Sequence, residues 1–422
     1  MSVSESLVAV FGRPIEPTDR ARARTLLLDW TACAVAGRVE PAGRKVAAAF
    51  PDSTGPCTRI GGASASPSLA ALHNGCLGNV LEMDDVDRQA VLHAAPTVIP
   101  AALAMAEFVG AEMDALLDAI VTGYEATIRV GRAVGPGHYA MFHNTATCGV
   151  FGAAAAACAL LPGIDLVSAL GLAGTQAAGL WQTRHEPGSD AKQLHAGHAA
   201  QVGVQSALLS AQGFQGPREI FEGPQGFFAA LCPGADPRDM LFETDRWLLH
   251  DTSLKPYPAC RHAHPAIDAA LLAKDDGGPV VVETYRDALT FCDRPTPAPG
   301  REAKFSLQHC VAWVLMHGAA PGLGEFGAEA LEATRDMRAR VSVREGAEFT
   351  KRYPAHYGAA VSVGGERHAV QDALGDPERP MSDNQVSAKA GMLLAHGGKQ
   401  DADAVIAACL RGSLRNYLKC LP

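Results

Sequence analysis

The chain has 422 residues, of which 48% are hydrophobic, 19% are charged and 6% are aromatic. Its length exceeds what one hydrophobic core usually supports, so the sequence predicts two domains that fold without disulfide or metal cross-links. The formal net charge of -9 argues against contacts with a phosphate backbone, and nucleic acid is therefore excluded as the expected partner.

The cysteine pattern and the apolar segments indicate where the protein works. The 11 cysteines are scattered without a CxxC pair, which is typical of reduced, buried thiols. The N-terminus, with Glu5 and a short apolar run over 7–11, lacks the basic segment and the long apolar core of a signal peptide. The least charged stretch, 166–183, contains Ser, Thr, Gln and Gly and would make a poor membrane span. We therefore expect a cytoplasmic protein without a membrane partner.

Helical patterns dominate the first half of the chain. A helix is predicted from Pro17 to about Gly37, because Pro and Asp begin the pattern and Gly ends it. Ser66 and Pro67 fit the N-cap and the first position of another helix. Further helices are predicted over 100–109, 113–134, 147–161, 166–180 and 191–212. Ser189 and Asp190 would cap the last of these, which places Lys192 in its first turn.

The pattern changes after residues 255–258, where β-branched runs predict strands. The runs are 280–284, 341–343 and 361–363, and Gly364-Gly365 before 367–370 is a hairpin signal. Helical patterns return over 303–316 and from 385 onward, so both chain ends should build one domain. We predict a mainly α protein, with a large all-helical domain over 1–254 and 386–422 and a smaller α+β domain over 255–385.

One glycine-rich segment matches a dinucleotide-binding motif, but the residues around it do not support a nucleotide site. Residues 135–140 fit GxGxxA, but they follow a helical pattern, and no acidic residue lies about twenty residues on to hold a ribose. Pro136 would also remove an amide that a pyrophosphate needs. A glycine turn is the favoured interpretation.

Clusters of histidine and carboxylate carry more information. The histidine clusters are His138 with His143, then His185, His195 and His198, and then His262 with His264. They could bind a metal or move protons, but neither HExxH nor paired CxxC spacing is present, so no metal is predicted. Each histidine alone also fits a hydrogen-bonded core residue. The acidic residues Glu82, Asp84, Asp85 and Asp87, which lie near His93, fit helix capping, a metal cradle or a proton-sharing pair of acids.

Five separated segments resemble, in order and spacing, motifs of the MmgE/PrpD family, which includes 2-methylcitrate dehydratase, cis-aconitate decarboxylase and iminodisuccinate epimerase. The segments run from Asn74-Gly75 through 82–85 to His93 and Pro100, then over 135–147, 190–197, 255–264 and 303–308. The resemblance covers most of the chain. Five motifs in the right order are far less probable by chance than any one of them.

The resemblance implies an enzyme without a cofactor, usually a homodimer, whose smaller α+β domain closes over the site as a lid. Its substrates are small di- or tricarboxylates. By position, the residues implied to be catalytic are Lys192, His93, His143, Tyr139 and His264. The residues implied to bind substrate are Glu82, Asp85, His195, Arg261, His262, Lys255 and His309.

The expected chemistry begins with removal of a proton next to a carboxylate, which adds negative charge to an anion. Lys192 at a helix N-terminus and a bidentate Arg261 would stabilise that charge. We expect the intermediate to lose hydroxide, as in a 2-methylcitrate dehydratase, with Lys192 or His143 as base and His93 or His264 as acid. The alternatives are cis-aconitate-type decarboxylation, epimerisation with Tyr139 beside the lysine, and a carboxylate-binding homologue without catalysis.

Three positions depart from the family pattern. Glu82 stands where Asp is usual, Val86 where many members have Thr, and His309 where the decarboxylase branch has Tyr. These changes alter which substrate oxygens can be held, and a pocket built for a polar group discriminates sharply between analogues. The exact substrate therefore stays open at this point.

Overall fold

The computed structural model describes residues 1–51, 54–186 and 188–422. The chain divides into two compact units. The helical unit contains 1–252 and 383–422, and the α+β unit contains 253–382. The sequence placed these boundaries at 254/255 and 385/386. The protein is mainly α-helical with one small sheet, which confirms the fold class.

The helical unit is built from α-helices contributed by both ends of the chain. From its N-terminal part come α1 Val3–Val10, α2 Pro17–Gly37, α3 Pro41–Ala49, α4 Pro67–Gly78, α5 Ala95–Val109, α6 Met113–Ala133, α7 Gly135–Met141, α8 Asn144–Ala159, α9 Leu166–Gly174, α10 Ala191–Ala211 and α11 Phe227–Leu231. Short 3₁₀ segments lie at Trp181–His185, Pro237–Leu241 and Leu248–Asp251.

The chain reaches its last helices after the α+β unit. From the C-terminal part come α18 Asp383–His396, α19 Ala402–Arg411 and α20 Leu414–Cys420. Among the described residues, no helix combines the length and apolar character needed to cross a membrane.

Most predicted helices form, and two of them differ from their predicted extent by five residues or more. Helix α2 has the predicted bounds. Helix α5 begins at Ala95 and contains Pro100, which the sequence placed at its start. Helix α9 ends at Gly174, earlier than the predicted residue 180. The segment predicted as a glycine turn is the short helix α7, entered through Gly135 at a φ of 75°.

Small residues let the central helices of this unit approach closely. Helices α4 and α10 cross at Gly75 and Gly197, where a Cβ on Gly75 would lie 2.8 Å from the Cα of Gly197. Any larger side chain would push the two backbones apart. The crossing fixes the start of α10 beside the segment 79–94 that follows α4, and the candidate site is built on both.

The α+β unit is a four-stranded sheet with short helices. Its elements are α12 His264–Ala270, β1 Val280–Thr284, α13 Arg286–Cys292, α14 Leu307–His317, α15 Ala328–Ala333, α16 Arg335–Arg340, β2 Val341–Glu345, α17 Ala347–Arg352, β3 Ala359–Val363 and β4 Glu366–Val370. Short 3₁₀ segments precede α12 and α14, at Arg261–Ala263 and Ala303–Phe305.

The strand order is β2-β1-β3-β4. Strand β1 pairs in parallel with β2 and antiparallel with β3. Strands β3 and β4 form the predicted hairpin, in which Gly364 and Gly365 both have positive φ, at 57° and 89°. Two positive φ values in succession are what a tight two-residue hairpin turn requires, and glycine adopts them without steric cost.

Candidate acid–base site

The segment between α4 and α5 presents the carboxylate expected at the site. Glu82 is 2% exposed and has a φ of 59°, a left-handed conformation that disfavours any residue except glycine. Its Oε1 accepts a hydrogen bond of 2.5 Å from Nζ of Lys192, which lies in the first turn of α10 as the sequence predicts. The two side chains, 3% and 11% exposed, form an ion pair largely shielded from water.

Asp84 and His93 form a second pair in the same segment. Nδ1 of His93 lies 2.6 Å from the carbonyl oxygen of Asp85 and 3.1 Å from Oδ2 of Asp84. A carbonyl oxygen can only accept, so Nδ1 carries a hydrogen, and in the neutral form of the ring Nε2 is the nitrogen with the lone pair. Asn79 Nδ2 donates to the same Asp84 oxygen at 2.6 Å. The pair resembles the carboxylate–imidazole arrangement that orients a general base.

The Asp85 carboxylate has local partners of its own. The backbone N–H of Ala95 donates to Oδ1 at 3.0 Å, and the hydroxyl of Tyr124 donates to Oδ2 at 2.7 Å. Burial raises the pKa of Asp85 to about 7, against the hydrogen bond from Tyr124. Asp85 therefore caps the start of α5, and its carbonyl orients His93.

Two further histidines face each other across α8 and α10. His143, at the N-cap of α8, has its Nδ1 3.2 Å from Nδ1 of His195. Burial lowers the pKa of His143 well below its usual value, and burial also lowers the pKa of His195 to about 4. Both rings are therefore neutral near pH 7.

These pairs lie within electrostatic range of one another. After burial, the electrostatic interactions with Lys192, His195 and His93 are the next largest causes of the lowered pKa of His143, and the interaction with Asp84 opposes them. The ring of Trp181 lies 4.4 Å from that of His143 and contacts Tyr139 edge-on at 5.8 Å. The helical unit thus gathers one ammonium, two carboxylates and three imidazoles in one cluster.

Arg261, His264 and Lys255 belong to the α+β unit and are buried there. Arg261 forms an ion pair with Asp376, and its Nη1 lies 3.1 Å from Nδ1 of His264. His264 Nε2 lies 3.2 Å from the carbonyl oxygen of Ala259, so Nε2 carries the hydrogen and Nδ1 can accept from Arg261. The Arg261 guanidinium is therefore held in a fixed orientation.

His262 and His309 also have partners within the α+β unit. Nδ1 of His262 lies 2.6 Å from the Tyr285 hydroxyl, and burial lowers the pKa of His262 to about 3. His309 uses both ring nitrogens, with Nδ1 3.0 Å from Oγ1 of Thr334 and Nε2 2.7 Å from the carbonyl oxygen of Glu325. Binding a substrate through either nitrogen of His309 would require one of these bonds to break.

In the part of the chain that the structure describes, one group of side chains has the spacing of a metal site. His356, Asp372 and Glu378 offer ligand atoms within 4.8 Å of one another in the α+β unit. His356 Nδ1, however, is already 2.7 Å from Asp372, and Arg352 lies 3.9 Å from the same carboxylate. A nearby guanidinium opposes a second cation, so this group fits a surface ion-pair network.

The structure adds site residues that the sequence did not assign. Asp84 is the carboxylate partner of His93, and only its place in an acidic run hinted at a role. Asn79 supports Asp84, and Trp181 packs on His143. No local motif marks these two residues, because their importance arises only from the fold.

The fold and the site together define a two-unit, mainly helical protein with a buried acid–base centre in its helical unit. The chain belongs to the MmgE/PrpD family. The model of the MmgE/PrpD N-terminal domain matches residues 12–240, and that of the C-terminal domain matches residues 257–412. This confirms the resemblance noted from the five motifs.

Several relatives with assigned names resemble the chain over part of their length. It is 30% identical over 271 residues to cis-aconitate decarboxylase of Aspergillus terreus, covering 59% of this chain and 54% of that protein. It is 35% identical over 226 residues to the cis-aconitate decarboxylase-like protein oryM of Aspergillus oryzae, covering 50% and 46%. Human cis-aconitate decarboxylase is 28% identical over 287 residues, covering 60% and 56%. The chain thus spans about half the length of these relatives.

Proposed function

We propose that the protein is a lyase that acts on a small di- or tricarboxylic acid without a cofactor. The observation that carries the proposal is the cluster of the Lys192–Glu82 ion pair, the Asp84–His93 pair and neutral His143 in one buried site. Such a cluster holds a base and an acid in fixed positions next to a cation that can stabilise a carbanion.

His93 is the proposed base, because the hydrogen on Nδ1 makes Nε2 the nitrogen that can accept a proton in the neutral form of the ring. Asp84 stabilises the imidazolium that forms when Nε2 takes a proton. Lys192 supplies the positive charge and a transferable proton. Glu82 holds the ammonium in place at 2.5 Å.

Decarboxylation of a cis-aconitate-type acid is the first candidate reaction, because the relatives named above are cis-aconitate decarboxylases. A carbon–carbon bond to one carboxylate breaks, carbon dioxide leaves, and the electron pair remains on carbon next to another carboxylate. Lys192 stabilises that charge, and its ammonium or a protonated His93 returns a proton to carbon.

Dehydration of a hydroxy tricarboxylic acid, expected from the sequence, is the second candidate. The site supports dehydration because a proposed base, His93, and a proposed acid, Lys192, lie in the same cluster. His93 Nε2 takes the proton next to a carboxylate, a carbon–carbon double bond forms, and the ammonium of Lys192 protonates the hydroxyl so that water leaves. Solvent then restores both protonation states.

The charges of the cluster bear on how an anion binds. Two carboxylates face one ammonium, and His143 and His195 are neutral. A polycarboxylate that enters would raise the pKa of both histidines by adding negative charge beside them.

The remaining family-based roles stay predictions. Substrate binding by Lys255, Arg261, His262 and His309, proton transfer by His264 and Tyr139, and assembly as a homodimer are proposed on the resemblance alone.

Proton NMR in deuterium oxide, with cis-aconitate, citrate, 2-methylcitrate and iminodisuccinate in turn, tests the proposal. Loss of carbon from cis-aconitate identifies a decarboxylase, and a new alkene from citrate or 2-methylcitrate identifies a dehydratase. Exchange without net change indicates an epimerase. Lys192→Met should abolish turnover, whereas Lys419→Met, at an exposed position of α20, should leave it unchanged. Binding without turnover of any acid by the wild-type protein would contradict the lyase proposal.

A further inference from the structure

A lysine from the C-terminal segment holds the loop that carries the acidic residues of the site. Lys389 lies on α18, which packs against α2. Its Nζ donates hydrogen bonds to Oδ1 of Asp29, at 2.5 Å, and to the carbonyl oxygen of Met83, at 2.7 Å. The side chains of Lys389 and Asp29 are 3% and 1% exposed. This is a buried ion pair with one additional, backbone acceptor.

Met83 is the residue between the two carboxylates that matter for the site. Its neighbours are Glu82, which pairs with Lys192, and Asp84, which pairs with His93. Fixing the Met83 carbonyl fixes the peptide plane that follows Met83, and hence the direction in which Asp84 leaves the backbone. Glu82 needs such support as well, because its φ of 59° is unfavourable unless the surroundings impose it.

Lys389 stays charged in this environment. Burial by itself lowers the pKa of Lys389, but the charges of Asp29, Cys33 and Asp84 and the hydrogen bond to Asp29 together raise it above its ordinary value. A charged donor makes a stronger hydrogen bond to a carbonyl oxygen than a neutral one. The bond to Met83 therefore has the strength to hold the loop.

We propose that Lys389 is a positioning residue of the candidate site, which aligns Glu82 with Lys192 and Asp84 with His93 through its bond to the Met83 carbonyl. It touches neither substrate nor reacting atoms. The expected effect on turnover rests on the proposed lyase function, whereas the expected effect on the loop does not.

The test must separate the loop from the buried charge. Lys389→Met alone would leave Asp29 buried without its ammonium and could unfold the protein. The double variant Lys389→Met with Asp29→Asn removes both charges. Asp29→Asn alone is the matched control, because the amide oxygen still accepts a hydrogen bond from the Lys389 ammonium and the bond to Met83 is kept. Both folded variants are compared by circular dichroism, thermal unfolding and hydrogen–deuterium exchange.

We expect exchange in peptides covering 79–94 to be at least about tenfold faster in the double variant than in Asp29→Asn, while peptides from α6 are unchanged. Turnover number should fall at least about tenfold between the same two proteins, with a smaller change in KM, because a misaligned base affects the chemical step.

Three other outcomes overturn the assignment. Equal exchange in the two variants shows that Lys389 does not hold the loop, and faster exchange with equal turnover shows that its position does not matter for the site. A double variant that fails to fold while Asp29→Asn folds means that Lys389 supports the whole helical unit and not the loop in particular. A wild-type protein that turns over no acid refutes the proposed function, and the exchange comparison still decides whether Lys389 positions the loop.

Discussion

Replacing Lys192 with Met perturbs stability as well as catalysis, because the ammonium is the partner of a buried carboxylate. The Glu82 side chain is 3% exposed. Without Lys192 it must remain charged in a low-dielectric site or take up a proton. At pH 7, protonating a glutamic acid of ordinary pKa requires about 4 kcal/mol, and at pH 5 about 1 kcal/mol. We expect Lys192→Met to lose up to about 4 kcal/mol of unfolding free energy at pH 7 and about 1 kcal/mol at pH 5.

A second substitution separates this loss from the loss of catalysis. In Lys192→Met with Glu82→Gln no unpaired charge is left, so most of the unfolding free energy should return. Turnover should not return, because the cation that stabilises the carbanion is still missing. The expected loss is at least about 10³-fold, equivalent to about 4 kcal/mol in the barrier.

Urea unfolding at pH 5 and pH 7 and the NMR turnover assay measure the two effects. A stability loss in Lys192→Met that is the same at both pH values would refute the electrostatic account of the Glu82 pair. Turnover above a few per cent of wild type in the double variant would refute the role of Lys192, since the fold would be intact and the ammonium absent.

Three further predictions follow from the site and its support. Asp84→Asn should reduce the turnover number at least about 10²-fold without unfolding the protein, whereas Asp118→Asn, in the partly exposed ion pair with Arg20, should leave turnover unchanged. The pKa of His195 is about 4 in the folded protein against 6.5 ordinarily, so the unfolded chain binds more protons and the unfolding free energy falls as pH drops from about 6.5 to 4. His195→Gln should reduce this dependence of the unfolding free energy on pH, as measured by urea unfolding. An unchanged dependence would contradict the lowered pKa of His195. Gly197→Ala should destabilise by about 1–3 kcal/mol because α4 leaves no room for a Cβ, whereas Gly391→Ala, in open space on α18, should be neutral or stabilising; similar thermal shifts in both would show that the crossing can relax.

Elements with strong local signals were predictable from sequence. Helix α2 begins at a proline and ends at a glycine, and the β3–β4 hairpin turns at two glycines with positive φ. Helix α5 shows where local signals fail. Its first N–H, on Ala95, is capped by the Asp85 carboxylate ten residues earlier, so the helix begins before Pro100 instead of at it. A proline that looks like a helix start can lie inside a helix when a distant group satisfies the true terminus.

The site residues also fall into those that local sequence signals place and those that only the fold places. The helix-start signals at Ser189 and Asp190 place Lys192 in a first turn, and the structure has it there. The distance from Lys192 to Glu82, which lies 110 residues earlier, cannot be derived from spacing. The sequence suggested His93 as the acid, whereas the role proposed from the structure is that of the base. The difference arises because the tautomer of His93 depends on the Asp85 carbonyl and the Asp84 carboxylate, and only the folded loop shows both beside the ring.

The contact that supports this loop comes from farther still. Lys389 and Met83 are 306 residues apart, and the whole α+β unit lies between them in sequence. Nothing around Lys389 distinguishes it from a surface lysine until the helix that carries it packs on α2. Glu82 is held in an unfavourable conformation, and the buried ammonium of Lys389 bonds to the next carbonyl along the chain. The C-terminal helices therefore do more than cover the core. In the proposed enzyme, Lys389 on α18 sets the geometry of the acid–base cluster through its bond to the Met83 carbonyl.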